Sequence, residues 1–514
     1  QALNPSAVEV AAVEVFGERN PLVREDLTNT LVSVTAEQIE ALPVDQIRDV
    51  ISLQAGIVED NDGALHIRGG RSNEIAYQVN GISINNPFGN TQAVGLATNA
   101  VEEVSVSAGT FSAEYGNALS GVINFVTKDG GPDYHGSFRS WSGDNVSSRD
   151  DIFFHVGTVA PFNHSRMEWT FSGPIPFLGK NVTFFTSGVR EHDDGHLFGM
   201  RVYNREEILF IDGDNFIIDP LGASGARFRA DGDREIVPMV TSDDLNLTAK
   251  LAWKPSNKLK LSYDLILDDG ERFPREAGGI NTFRRFRFNP DGRPQRLTNA
   301  MSHSVGVTHA ISSKTFYTLK VGANFTKSRT FVFEDPFDPR YVASFENEIT
   351  NNLIPPTDYL AGGTDLIRSR EETRSILAKL DVVSQVLPSH EVKLGGEFVH
   401  HRLVLEDYEL LFDEQQGRFI VPYPELNPNF TDYQYYAREP VQAAVYILDK
   451  MELSRQFILN VGLRYEFLDT KALYNPNLAG TVDTGVQNPE FLRTASPKHR
   501  LSPRVSLSFP ITSE

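Results

Sequence analysis

The chain of 514 residues has no cysteine, only three tryptophans and only five methionines. Without thiols it has neither disulfide staples nor thiolate metal sites, and thiol chemistry is excluded. No window of eighteen consecutive apolar residues occurs, so no transmembrane helix is expected. Basic charge is short: 48 Lys and Arg against 68 Asp and Glu give a formal charge of -20. A nucleic-acid binder needs a basic surface to displace counterions from phosphates, so that class is excluded too. The missing apolar run leaves one kind of membrane protein open. A barrel strand needs only about 9–11 residues and alternates in polarity, so its mean hydropathy stays low. What is plentiful is glycine (39), phenylalanine (34) and tyrosine (16), residues of tight turns and of strands with interfacial aromatic girdles. The chain starts at Gln1 with no signal peptide and reads as a processed or trimmed form.

Two regions follow different rules. Up to about residue 130, short apolar runs alternate with glycines and helical stretches. Thr35 with Gln38 three residues later suggests a capping box. Asp45 to Leu53 reads as a helix with Ile47, Val50 and Ile51 on one face. Leu65–Ile67, Ile75–Val79, Val104–Val106 and Val122–Val126 read as strands of a compact α/β domain. From about Tyr134, long strands of period two dominate. In 457–467, Phe457, Leu459, Val461, Leu463, Tyr465 and Phe467 share one face, and Asn460, Gly462, Arg464 and Glu466 the other. Leu245–Trp253, Val392–Phe398 and Tyr317–Phe325 repeat the pattern.

Connections alternate between short turns (254–258, 312–314, 387–390, 453–455) and long loops (about 192–243, 268–302, 328–371, 403–440, 469–498). This is the loop pattern of an outer-membrane barrel, and a soluble sandwich has no reason to sort its loops so. A cation at mid-bilayer costs about 2–4 kcal/mol, and the apolar parity of 457–467 carries none. About twelve barrel strands are expected. Lumens that hold a folded plug belong to barrels of about 22 strands, so roughly ten C-terminal strands are expected to be missing.

The motifs narrow this further. In order they are Thr35-Ala36-Glu37-Gln38-Ile39, Leu65-His66-Ile67-Arg68-Gly69-Gly70-Arg71, Tyr77-Gln78-Val79-Asn80-Gly81, Phe111-Ser112-Ala113-Glu114-Tyr115-Gly116-Asn117 and Ser120-Gly121-Val122-Ile123-Asn124-Phe125-Val126. Together, residues 31–131 closely resemble the plug domain of TonB-dependent receptors, in a form common among Bacteroidota-like bacteria. The fold expected is mainly β: a small α/β plug inside a large antiparallel transmembrane β-barrel. Its parts would be a lead-in segment 1–30, a plug 31–131 and barrel from 132 to 514. Asn80-Gly81 is a type I′ hairpin signal, where the family usually has Asp-Gly. Tyr115-Gly116 marks a second plug turn. The resemblance implies that Arg68, within Arg68-Gly69-Gly70-Arg71, pairs with acids of the barrel wall, for which lumen-parity Glu397 and Glu466 are candidates. A second arginine is often found before the Tyr-Gly motif, and here Ala108-Gly109-Thr110 takes its place. The strand-prone segment Val8–Gly17, with Val13, Glu14 and Val15, stands where a TonB box would add to an edge strand of TonB.

The resemblance implies an active transporter in the outer membrane of a Gram-negative bacterium. It would capture a scarce siderophore, cobalamin, glycan or peptide and be energised by the TonB-ExbB-ExbD complex, with a surface lipoprotein as a possible partner. The rival reading is a receptor or assembly platform that signals or anchors without transport. No covalent chemistry is implied, and neither catalytic residues nor a cofactor nor a resident metal is expected. His192 and His196 read as a solvated loop, and Asp212-Gly213-Asp214 lacks the spacing of a calcium loop. Tyr433, Tyr435 and Tyr436 read as an interfacial girdle or loop.

Overall fold

A computed structural model describes residues 30–508 except 61–62, 110–111, 150–151, 206–231, 278–279, 343–358, 361, 414, 424–432, 455–456, 475 and 477–492. Val13, Glu14 and Val15 lie outside the described residues.

The N-terminal region is built on one five-stranded sheet, in the order Thr30–Thr35, Val101–Ala108, Gly121–Thr127, Ile75–Val79, Ile82–Ser83. Strands 75–79 and 121–127 run parallel, and the other neighbours antiparallel. Parallel pairs need both faces covered. Accordingly these two strands have few polar positions, and Ile75, Tyr77, Val79, Ile123 and Phe125 are buried. Helix Ala36–Ala41 starts at Thr35, whose N–H donates to Gln38 Oε1 at 3.0 Å, one half of the expected capping box. The second helix spans Ile47–Ser52 and buries Ile47, Val50 and Ile51, the face set by their spacing. Ile266 and Ala300 of the following region pack into this same core, so it is completed by the barrel wall.

The second region is a meander of twelve strands, numbered here in order: His135–Gly143, His164–Pro174, Val182–Asp193, Ser242–Ser256, Leu259–Arg272, Gln295–Ala310, Thr315–Phe331, Ile367–Leu387, His390–Glu409, Val441–Ser454, Phe457–Asp469 and Lys498–Ser508. Each pairs antiparallel with the next, and Tyr433–Arg438 pairs beside the upper part of strand nine. Among the described residues, strands one and twelve each have a neighbour on one side. Short turns at one end and long connections at the other sort as expected, and the register shifts at 253/256, 385/387 and 452/454 all lie beside short turns.

The strands overrun their expected ends on the long-loop side. Strand six begins at Gln295 rather than near 302, strand eight at Ile367 rather than near 372, and strand nine continues to Glu409 rather than to about 402. Strand eight has 21 residues, about twice what crosses the hydrocarbon core at roughly 3.3 Å per residue. Its upper part stands in water. There the hydrogen-bond ladder continues, and Leu366, Leu410 and Tyr433 pack with Tyr341, Phe419 and Val421 in an apolar cluster of their own.

Polarity is inverted between the regions. In the barrel many exposed large residues are apolar: Leu251, Val321, Ile376, Leu394, Val445, Leu463 and Val505 are 40–67% exposed. The buried ones include Arg166, Glu168, Lys250, Asp264, Lys379 and Arg464. An apolar surface of this extent would drive a soluble protein to aggregate, whereas it matches a lipid-facing band.

Candidate functional site

The inward charges converge on the plug. The segment Ser112–Asn117, part of the recognised motif, docks on strands nine to twelve. Arg464 of strand eleven is buried between two carboxylates, with Nη2 at 2.7 Å from Glu397 and Nε at 2.8 Å from Glu466. Its Nη1 donates to the carbonyls of Ala113 and Glu114 at 3.4 and 3.3 Å. Gly116 leaves room for it, since a Cβ there would come 2.4 Å from Arg464 Nη2 and the guanidinium would have to shift. Arg504 donates to the carbonyl of Ser112, and Asn117 donates to Gln442 at 3.0 Å. Lys393 donates to the Glu114 carboxylate, and its Nζ is 3.6 Å from Asp381, which also accepts from Tyr446. Tyr115 sits next to Glu114. That negative charge, then burial, push its phenol up, so it stays neutral.

A second cluster holds the hairpin tip. Asn80 and Gly81 have φ of 50° and 78°, as a type I′ turn requires. The turn also touches the wall. Asn80 Nδ2 donates to Asp264 at 3.0 Å, and Lys320 donates to the Asn80 carbonyl. Thr127, at the end of the plug's central strand, donates to Asp264 at 3.1 Å. Lys250 bridges Asp129 at 2.7 Å and Asp264 at 3.6 Å, and donates to the Thr127 carbonyl at 3.2 Å. Burial alone would raise the Asp129 carboxyl, but Lys250 and Lys260 outweigh it and hold it below the usual range.

Further contacts ring the plug. Arg166 donates to the carbonyl of Asp45 at 3.0 Å, and Asn246 to that of Gly95 at 2.8 Å. Asp268 accepts from the Gly95 N–H at 2.7 Å, Asn324 donates to Ser83 at 3.0 Å, and Asn86 to Glu371 at 2.6 Å. Between plug and wall a cavity of about 220 Å³ remains, lined by Gln78, Glu114, Lys320, Lys379, Asp381 and Lys393. At the long-loop end, the ring of Phe88 on the plug meets Tyr436 edge-on at 6.1 Å.

Expected and observed contacts differ at the arginine loop. Arg68 and Arg71 are exposed, and among the described residues neither forms an ion pair with Glu397 or Glu466. Arg68 adopts φ 50° and its N–H donates to Gly56 at 2.8 Å. A Cβ on Gly70 would meet Ser120 Cβ at 2.4 Å, and the Arg71 N–H donates to Glu74 at 3.1 Å. Arg68-Gly69-Gly70-Arg71 therefore packs within the plug. Glu397 and Glu466 do lie where wall meets plug, but Arg464 already neutralises them. The sign of the contact is reversed: cations come from the wall, and plug carbonyls and Glu114 accept. Lys250, Lys393 and Arg464 all fall on the face opposite the apolar one in their period-two runs. Sequence reading missed that Glu397 and Glu466 pair with Arg464 on their own wall, and that Glu114, Asp264 and Lys320 join the contact. Of the tyrosines, Tyr433 is buried and donates to Glu406 at 2.9 Å, Tyr435 is exposed, and Tyr436 faces the plug.

Residues 23–122 match the family model of the TonB-dependent receptor plug domain, and residues 242–514 that of the TonB dependent receptor-like β-barrel. The chain is 25% identical over 292 residues to the TonB-dependent transporter Oar of Myxococcus xanthus, covering 54% of this chain and 25% of that protein. It is 30% identical over 114 residues to the vitamin B12 transporter BtuB of Vibrio vulnificus, covering 21% of this chain and 18% of that protein. The outer membrane transporter YddB from Escherichia coli superposes with a TM-score of 0.62 at 14% identity, covering 94% of this chain and 59% of that one. The alcaligin receptor FauA from Bordetella pertussis superposes at 0.59 with 12% identity, over 95% of this chain and 61% of that one. The chain thus spans a quarter or less of the length of these curated relatives and about three fifths of the solved structures. With a plug seated against the lumenal face of an antiparallel, lipid-faced sheet, and a family model covering more than half of its residues, the chain belongs to the TonB-dependent receptors, non-enzymatic β-barrel proteins of the Gram-negative outer membrane.

Proposed function

We propose that the protein imports a scarce ligand across the outer membrane, with TonB supplying the work that shifts the plug. The observation that carries this reading is the plug contact itself. The plug core is closed by wall residues, yet the plug is tied to the wall mainly by polar and ionic contacts, which exchange for water more readily than a dry apolar joint. A plug meant only to seal the lumen has no use for such a joint. Val13, Glu14 and Val15 within the lead-in 1–30 are the proposed TonB-engaging residues, acting by strand addition. The plug is assigned to 31–131 and the barrel to 132 onward. Arg464 with Glu397 and Glu466 is proposed as the principal tie, and Phe88 with Tyr436 as part of the mouth where ligand arrives. The cargo is proposed as a siderophore, cobalamin, glycan or peptide, a range wider than the vitamin B12 and alcaligin named for two of the matched proteins. The motif pattern further suggests the Bacteroidota-like form of the plug.

Deleting residues 7–17 from the full-length protein tests the reading. Cells should then still bind ligand at the surface but stop accumulating it. Accumulation at the wild-type rate would sink the transport reading and favour a receptor or assembly platform. Induction by iron starvation would narrow the cargo to an iron chelate, and constant abundance would point to the other classes.

A further inference from the structure

The two ties that hold the plug leave a gap between them. The hairpin tip at Asn80-Gly81 is held by strands five and seven, and Ser112–Asn117 by strands nine to twelve. The cavity of about 220 Å³ lies between these ties. Strands seven, eight and nine form one side of it, and plug strands 75–79 and 121–127 with Glu114 and Tyr115 form the other. Lys320 and Lys379 line it from directly opposite positions in the ladder. Like charges in register cost stability unless a group of opposite sign lies between them.

The lining is short of acceptors. Lys379 is only 8% exposed, and its ammonium forms no hydrogen bond among the described residues. Its nearest carboxylates are Glu397 at 3.8 Å and Asp381 at 4.0 Å, and both are engaged elsewhere. Glu397 accepts from Arg464 at 2.7 Å, and Asp381 accepts from the Tyr446 hydroxyl. Lys393 is matched to Glu114, and Lys320 donates to the neutral Asn80 carbonyl. Three lysines therefore face two carboxylates, Glu114 and Asp381, across the cavity, a surplus of one positive charge. Behind them Glu397 and Glu466 are accompanied by Arg464 and Arg504, so the surplus remains. Neutral donors add to it from the plug side. Gln78 is 7% exposed, and among the described residues neither its amide nor the Tyr115 hydroxyl has a hydrogen-bond partner. Asn124 accepts from the Gly81 N–H at 2.9 Å through Oδ1, which leaves its Nδ2 as a further donor. Burying so many donors is costly without an acceptor that they share.

We propose that this cavity binds a small inorganic oxyanion, of the phosphate or sulfate class, between Lys320 and Lys379. Its charge would neutralise the surplus. Its several oxygens would accept from both ammonium groups and from Gln78, Tyr115 and Asn124 together, which a spherical halide does less well. Lys393 and Tyr446 hold the charges of Glu114 and Asp381 away from it. Two of these donors belong to the wall and three to the plug. A bound oxyanion therefore acts as a third tie, and by linkage it stabilises the seated plug in proportion to its concentration. The inference rests on the seating of the plug and not on transport, so it stands whether or not deleting residues 7–17 stops uptake.

The test uses the full-length protein, purified from outer membranes into a neutral detergent and dialysed against sodium chloride. Selenate, an anomalously scattering analogue of sulfate, is the probe. Crystals soaked in selenate should show an anomalous peak in the cavity, within hydrogen-bond reach of Lys379 Nζ. In solution, selenate at ten times its Kd should slow hydrogen exchange across 75–81 and 112–117 about tenfold, relative to chloride of equal ionic strength. Lys379→Met should lose both the peak and the response. In chloride it should exchange no faster than wild type, because it removes a poorly paired ammonium. Gln78→Met, which alters the plug side alone, should weaken selenate binding about tenfold. Lys258→Gln, exposed in the turn after strand four, should behave as wild type. No peak in the cavity, an equal response to chloride and selenate, or K379M slowing as much as wild type would each overturn the proposal. So would faster exchange of K379M in chloride, since Lys379 would then be a structural partner of Glu397.

Discussion

The plug and the barrel solve opposite solvation problems with one chain. In the plug, Phe125, Ile123, Ile75 and Val50 are fully buried and the surface is polar. In the barrel, Leu463 faces outward at 40% exposure while its neighbour Arg464 is buried. Burial of an apolar group is favourable only relative to water. With lipid outside and a wet lumen inside, the same rule puts leucine out and arginine in. The difference teaches that "core" in this chain means two things. For the plug it is a dry apolar centre, and for the wall it is the set of ion pairs turned toward the plug.

The comparison can be broken at either end. Phe125→Ala should cost the plug about 3–5 kcal/mol, read as faster hydrogen exchange across strands 75–79 and 121–127, with the barrel strands unchanged. Arg464→Met should cost about 3 kcal/mol, because the half-buried Glu466 loses its ion pair and Glu397 keeps only Lys379 at 3.8 Å. Urea titration in bilayers, followed by tryptophan fluorescence, would show it, and adding Glu397→Gln and Glu466→Gln should recover much of the loss. Leu463→Arg, one residue away on the lipid face, should cost about 2–4 kcal/mol in the same titration and should not be rescued by those changes. Gly81→Ala should cost about 1–2 kcal/mol, since φ is 78° there and the added methyl approaches Lys320 Nζ at 3.3 Å.

The smallest effect is a pH dependence on the exposed plug surface. His66 holds Asp60 at 2.9 Å through Nε2 and the Gly70 carbonyl at 2.9 Å through Nδ1, and these, in that order, raise its pKa. The raised value makes its contribution complete below about pH 6.5 and lost as pH rises through the folded pKa. An NMR titration should find His66 titrating above an unfolded reference, and Asp60→Asn should lower it. A value at or below the reference would remove this contribution.

How much could be read beforehand follows from the physics of each element. About twelve barrel strands were expected and four of them, around 245–253, 317–325, 392–398 and 457–467, were visible as period-two runs, because lipid on one side and polar contacts on the other force alternation. Their upper ends were not, because past Phe325 and Ile376 the outward face no longer meets lipid and the alternation stops while the ladder runs on. The Asn80-Gly81 turn was legible from its backbone demand. Its contacts with Asp264 and Lys320, 184 and 240 residues away, were not.

The sequence by itself determined which residues face lipid, where the turns are tight and which family's plug motifs are present, since each of these is a local demand on polarity or φ. The tertiary structure decided which charges meet. It left Arg68 on the surface and gave Glu397 and Glu466 to Arg464. It also set Lys320 opposite Lys379 on the lumenal face. Ion pairing depends on distance in space, and in an antiparallel wall that distance is set by strand order and register, which no local pattern encodes.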